Sequence, residues 1–191
     1  MMRSLSFFLF ATILFFGLHY SGVVHFDFLD SVPEDASYAK GKAIPDVVFT
    51  KLDGTQFRLS EHAGKVVLLH FWGTWCAPCQ EEFPRLIKEM KQYEQQNMVM
   101  LAVAADHTQK EVKDFFEVLY KEHELSLPRN IELIWDEDGK VAAESFQITG
   151  FPETIVLNSQ HLMLQKIVGP IEWDKPFLEL LAELLNETQK K

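Results

Sequence analysis

Residues 70–84 read HFWGTWCAPCQEEFP, and they hold both cysteines of a 191-residue chain, Cys76 and Cys79. The stretch begins inside VVLLHFW (66–72), a short, nearly unbroken apolar run of the kind that forms a strand buried on both faces. It ends where apolar residues recur at Phe83, Leu86, Ile87, Met90 and Tyr93, the spacing of a helix with one buried face. The cysteine pair therefore lies where a buried strand gives way to a helix. Cys76 falls at the helix N-terminus, where unpaired backbone N–H groups and the helix dipole favour an anion. A thiol placed there loses its proton more easily than a free cysteine, and the thiolate is the nucleophile. Pro78 suits the first turn, where its missing N–H costs nothing. Residues three apart share a helix face, within the Cα separation that a disulfide accepts. Cys79, one turn in, is the shielded sulfur. Cys76 is thus expected to attack a partner disulfide and Cys79 to resolve the mixed disulfide.

Two other readings of the pair stay open. A structural disulfide is conceivable, although so short a loop gains least from cross-linking. Half of a zinc site would need two more ligands, and the sequence offers neither a second cysteine pair nor an H-x₃₋₅-H motif.

Outward from the pair, strand-like runs recur: MVMLAVAA (98–105), IELIW (131–135), TIVL (154–157) and LMLQKIV (162–168). Ahead of them DVVFTKLDGTQFRL reads as a hairpin with Asp53-Gly54 at its turn. Thr108-x-x-Glu111 is a capping box that opens a helix carrying Val112, Phe115, Phe116 and Leu119 on one face. A last helix follows Asp174 and Pro176 and buries Phe177, Leu178, Leu181, Leu184 and Leu185. This alternation predicts an α/β fold, a central mixed sheet flanked by helices.

The N-terminus has a different character. After Arg3 runs LSFFLFATILFFGLHYSGVV, long enough for a membrane span or a long signal sequence. No clear A-x-A-like cleavage site ends it, so residues 1–26 are read as a signal anchor, with cleavage to a soluble exported form as the alternative. Arg3 precedes the run, and Asp27, Asp30, Glu34 and Asp35 follow it, which places the rest of the chain outside the cytoplasm. Residues 27–43 read as a tether and 44–191 as one domain. A net charge of −10 excludes nucleic acid as a partner, because phosphates would repel it.

FWGTWCAPC resembles the active site of the thioredoxin superfamily. The longer WGTWCAPCQEEFP resembles the membrane-tethered TlpA/ResA/DsbE-type thiol–disulfide oxidoreductases, and DEDGKVAAESFQITGFPETIVL resembles their segment leading into a cis-proline loop. The resemblance extends over about residues 44–185. It implies a thioredoxin fold with an N-terminal hairpin and an inserted strand–helix element. It also implies a bacterial, single-pass protein of the cytoplasmic membrane, its catalytic domain on the periplasmic side, that reduces substrate cysteines, often those of apocytochrome c before haem attachment. The expected partners are such substrate proteins and a membrane electron donor of the DsbD/CcdA type. No cofactor beyond the redox-active Cys76–Cys79 disulfide and no metal is expected, and the protein should be a monomer.

Residue by residue, the resemblance puts Pro152, after Phe151, at the cis-proline position opposite the cysteines, where neighbouring backbone binds extended peptide; a trans proline opening an edge strand is the other reading. Trp75, Ala77 and Pro78 join Phe151 and Pro152 as expected substrate contacts. Glu82 matches a glutamate that tunes cysteine acidity, and helical geometry aims it toward Cys79, where a carboxyl can relay a proton. An ordinary solvated glutamate is its alternative, and is the reading for Glu81. His70 is a departure, standing where thioredoxins carry aspartate and TlpA-like proteins usually asparagine. It is either a tuning group beneath the dithiol or a neutral core histidine with one hydrogen bond. Trp72 reads as packing, and Pro84 as a kink in the helix. Other functions weighed against the reductase are a disulfide oxidase or isomerase and a non-catalytic peptide-binding module. A thiol peroxidase lacks its T-x-x-C motif here.

Overall fold

The computed structural model describes residues 41–189. The expected anchor (1–26) and most of the tether (27–43) lie outside the described residues. Among the described residues no helix is long and apolar enough to cross a membrane.

One eight-stranded sheet organises the domain. Its strands are β1 (Lys42–Ala43), β2 (Val48–Lys51), β3 (Gln56–Arg58), β4 (Val66–Trp72), β5 (Met98–Ala104), β6 (Ile131–Trp135), β7 (Glu153–Leu157) and β8 (Leu162–Val168), in the order β1-β8-β7-β4-β5-β6-β2-β3. β4, β5 and β6 run parallel, and the outer pairings are antiparallel. Of the runs read as continuously apolar, 66–72 and 98–105 form the parallel β4 and β5, buried on both faces, whereas 154–157 falls in β7, which pairs antiparallel with β4. The hairpin forms as read, with Gly54 at its turn in a positive-φ conformation (φ 87°) open to glycine. The sheet starts at Lys42, two residues ahead of the Ile44 boundary drawn from sequence, because Lys42 and Ala43 pair with Met163 and Leu162.

Four helices cover the sheet: α1 (Ala77–Gln92), α2 (Gln109–His123), α3 (Lys140–Phe146) and α4 (Lys175–Gln189). α2 opens with the expected reciprocal Thr108–Glu111 capping box. α3 was not expected from sequence. At seven residues it is too short for a periodic signal, and the buried Asp136 carboxylate holds its start by accepting from the N–H of Val141 (2.9 Å) and Ala142 (2.8 Å).

Successive β4 residues point to opposite faces. Val67, Leu69 and Phe71 join Phe49, Phe57, Ala142 and Phe146 in one core. Val66, Leu68 and Trp72 join the buried faces of α1, α2 and α4 in the other. Trp72, Phe83, Phe115 and Phe116 form one aromatic group there, most of its pairs edge-on, with Trp72 and Phe83 ring centres 4.3 Å apart. His70 has the parity of Trp72. The strand alternation alone therefore carries an imidazole to the underside of α1.

Candidate active site

The strand-to-helix junction is built as a cap. Cys76 is the N-cap of α1 and its Sγ accepts from the backbone N–H of Cys79 at 3.3 Å, so the sulfur faces the free amides of the helix end. Pro78 occupies the first turn. The two cysteines form a disulfide, with Cα atoms 5.3 Å apart. Cys76 keeps 6 % of its surface exposed and Cys79 none, the asymmetry expected from spacing. Ala77 and Pro78 are exposed beside them.

Trp75 stands over the junction, 60 % exposed, its ring edge-on to Phe151 at 5.2 Å between centres. Its Nε1–H donates to the Ala105 carbonyl at 3.3 Å. The fold-back works because residue 73 is glycine: a Cβ there would lie 2.7 Å from the indole. The Phe151–Pro152 peptide is cis, as the resemblance implied. The next residue, Glu153, is fully buried and ties this loop down. Its Oε1 accepts from Thr149 N–H (3.1 Å), Thr149 Oγ1 (2.8 Å) and Gly150 N–H (3.1 Å), and Lys166 Nζ lies 2.8 Å from Oε2. Burial alone would raise its carboxyl, but Lys166 and Thr149 outweigh it and hold the group below the usual glutamate range.

Beneath the cysteines, Glu82 is largely shielded, not solvated like Glu81. Its Oε2 accepts from Ile171 N–H at 3.1 Å, and its Oε1 lies 3.1 Å from His70 Nε2. His70 Nδ1 lies 2.9 Å from Thr154 Oγ1. The reading of His70 as a core histidine with one hydrogen bond therefore captured its burial but missed its second neighbour.

Asp106 carries no sequence signal beyond being an acidic residue at the end of a buried run. It is buried, and its carboxylate accepts from Thr74 N–H (3.1 and 3.2 Å) and Thr74 Oγ1 (2.5 Å), clamping the residue two before Cys76. Gln80 Nε2 donates to the Thr74 carbonyl from the other side. Burial pushes the Asp106 carboxyl up, against the lowering pull of the Thr74 hydrogen bonds. A raised native value means that Asp106 adds stability below the unfolded aspartate pKa of about 3.9 and loses it as pH rises through the native value. Asp106→Asn should therefore lose less stability than the wild type between pH 4 and pH 7 in thermal melts. Parallel curves for the two proteins would contradict this.

Comparison with known proteins fits this geometry. The AhpC/TSA family pattern matches residues 40–164. A protein named thiol-disulfide oxidoreductase ResA from Bacillus thuringiensis subsp. konkukian (strain 97-27) is 31 % identical over 151 residues, spanning 79 % of this chain and 77 % of the relative. The chain belongs to the AhpC/TSA family, among its ResA-like thiol–disulfide oxidoreductases. A crystal structure from Chlorobium tepidum, provisionally described as the thiol:disulfide interchange protein DsbE, superposes on this oxidoreductase with a TM-score of 0.61 at 25 % identity, covering 75 % of this chain and 94 % of that one. A second, of a thiol:disulfide interchange protein of the thioredoxin family from Chlorobium tepidum TLS, gives a TM-score of 0.59 at 21 % identity over 76 % and 97 %. The fold of this ResA-like oxidoreductase is thus thioredoxin-like.

Proposed function

We propose that the protein reduces disulfides of substrate proteins outside the cytoplasm, apocytochrome c among them. The observation that carries this reading is the unequal pair at the start of α1: Cys76 capping the helix and partly exposed, Cys79 enclosed. In the dithiol form the helix end stabilises a Cys76 thiolate, which attacks one sulfur of a substrate disulfide. A Cys76–substrate S–S bond forms and the other substrate sulfur leaves as thiolate. Cys79 then gives up its proton, with Glu82 as acceptor, and attacks Cys76 Sγ. The second substrate sulfur is released, and the enzyme keeps the Cys76–Cys79 disulfide. Two electrons have passed to the substrate.

The exposed indole of Trp75, together with Ala77, Pro78 and the Phe151–Pro152 backbone, forms the docking surface for an extended peptide. Tethering by residues 1–26 keeps the domain beside a membrane donor that restores the dithiol, as an oxidising compartment requires. The direction of transfer can be read in cells by quenching with acid and alkylating free thiols. The pair should be found reduced, and loss of the membrane donor should convert it to the disulfide. A pair found oxidised while the donor is present would instead support the oxidase or isomerase reading.

A further inference from the structure

Among the four β4 residues that face α1, His70 is the polar one, and no part of it reaches solvent. From β5 it meets Ala102, from β7 its register partner Thr154, and from α1 Glu82 and Phe83; α4 buries only apolar side chains against this face. Glu82 is thus the charged group that faces it. His70 Nε2 and Glu82 Oε1 lie 3.1 Å apart, close enough to share a proton though not aligned as a regular hydrogen bond, and neither atom has another hydrogen-bond partner. A carboxylate oxygen and an unprotonated ring nitrogen are both acceptors, so a proton must sit between them to avoid two opposed lone pairs in a dry site. Thr154 makes this possible. Its hydroxyl can donate to Nδ1, leaving the neutral ring to carry its hydrogen on Nε2.

We infer that His70 is a positioning residue for Glu82: Thr154 O–H holds Nδ1, and His70 Nε2–H holds Oε1 of the carboxylate. With Oε2 fixed by the Ile171 N–H, the carboxylate is oriented from both sides to take the Cys79 proton. Loss of the Nε2–H donor frees one side of the carboxylate, so Oε1 no longer rests where it can take the Cys79 proton. The inference rests on Glu82 acting as that acceptor.

Amide replacements separate a donor from a filler. In His70→Gln the amide nitrogen would fall near the place of Nε2 and could still reach Glu82. In His70→Asn the shorter side chain would put its amide nitrogen near the place of Nδ1, toward Thr154 and out of reach of Glu82.

The test follows reduced protein mixed with excess dithiobis-nitrobenzoate in a stopped-flow instrument. Each of the two sulfurs releases one nitrothiobenzoate: first as Cys76 forms a mixed disulfide, then as Cys79 displaces the second and closes the Cys76–Cys79 bond. For His70→Asn the second phase should slow about tenfold, because the acceptor oxygen is no longer held in place, while the first phase stays put. His70→Gln should return to within about twofold of the wild type, and Glu82→Gln should slow the second phase at least as much as His70→Asn does.

Superimposed profiles for His70→Asn and wild type, with Glu82→Gln altered, would reduce His70 to packing and leave Glu82 as the acceptor. A second phase as slow in His70→Gln as in His70→Asn would also overturn the inference. An unaltered Glu82→Gln profile would instead remove the acceptor role itself, and the inference with it. Should the variants fail to fold, nitrogen-15 spectra of wild-type His70 decide: the hydrogen belongs on Nε2, and finding it on Nδ1 alone refutes the arrangement.

Discussion

A Cys79→Ser protein will accumulate in its native host as covalent mixed disulfides through Cys76, whereas Cys76→Ser will capture almost nothing. The asymmetry is geometric. Cys76 Sγ caps α1 with some surface open, and Cys79 has none, lying in the same apolar core as Trp72 and Phe83. With serine at 79, the first exchange proceeds and the second has no nucleophile, so the intermediate persists for as long as solution thiols spare it. With serine at 76, the remaining sulfur cannot reach a partner. Diagonal gels with and without reductant, followed by mass spectrometry of the released proteins, give the answer. Equal capture by both variants would reverse or abolish the division of labour. The identity of the captured proteins carries further weight: an apocytochrome supports a role in haem-protein maturation, and a broad mixture supports general thiol repair.

Glu153→Ala will be the most damaging single change outside the apolar cores. Four groups converge on this buried carboxylate, and removing it strands a lysine and two backbone amides of the loop that leads into Pro152. Breaking a buried pair from one side costs about 3–5 kcal/mol, which for a domain of this size is a fall in Tm of roughly 10 °C or more. Lys166→Met should cost less, because its ammonium is partly solvated and Glu153 would keep the Thr149 and Gly150 hydrogen bonds. The pH dependence has a sign. The Glu153 carboxyl titrates below its ordinary range, so its contribution is complete above the unfolded value of about 4.3 and disappears as pH falls through the native one. Glu153→Ala should therefore flatten the acid limb of the wild-type stability curve. A variant within 1 kcal/mol of wild type, roughly the effect of an ordinary surface change, would show that the loop is held by other contacts.

The parts of this molecule that could be read from sequence are those whose cause is local. VVLLHFW and MVMLAVAA announce buried parallel strands by composition, α1 and α2 by their 3.6-residue apolar spacing, and the cap at Cys76 by its position between strand and helix. Counting by two along β4 would have placed His70 with Trp72 on the helix side. What could not be read depends on register between distant strands. Thr154 meets His70 because β7 pairs with β4 in one particular alignment, and nothing in either run specifies it. Asp106 and Glu153 were invisible for a related reason: a single carboxylate beside a buried run looks like any loop acid until the amides that converge on it are in place. α3 was missed because seven residues hold too few turns to show a period.

The enclosure around Cys79 is assembled from segments that the ribosome delivers far apart. Glu82 is anchored by Ile171, 89 positions later, and His70 by Thr154, 84 positions later. A nascent chain that has emerged only as far as Cys79 lacks both anchors and presents two ordinary, unguarded thiols to whatever oxidant it meets. The setting that holds the Glu82 carboxylate is thus acquired late, when the C-terminal third closes over the helix.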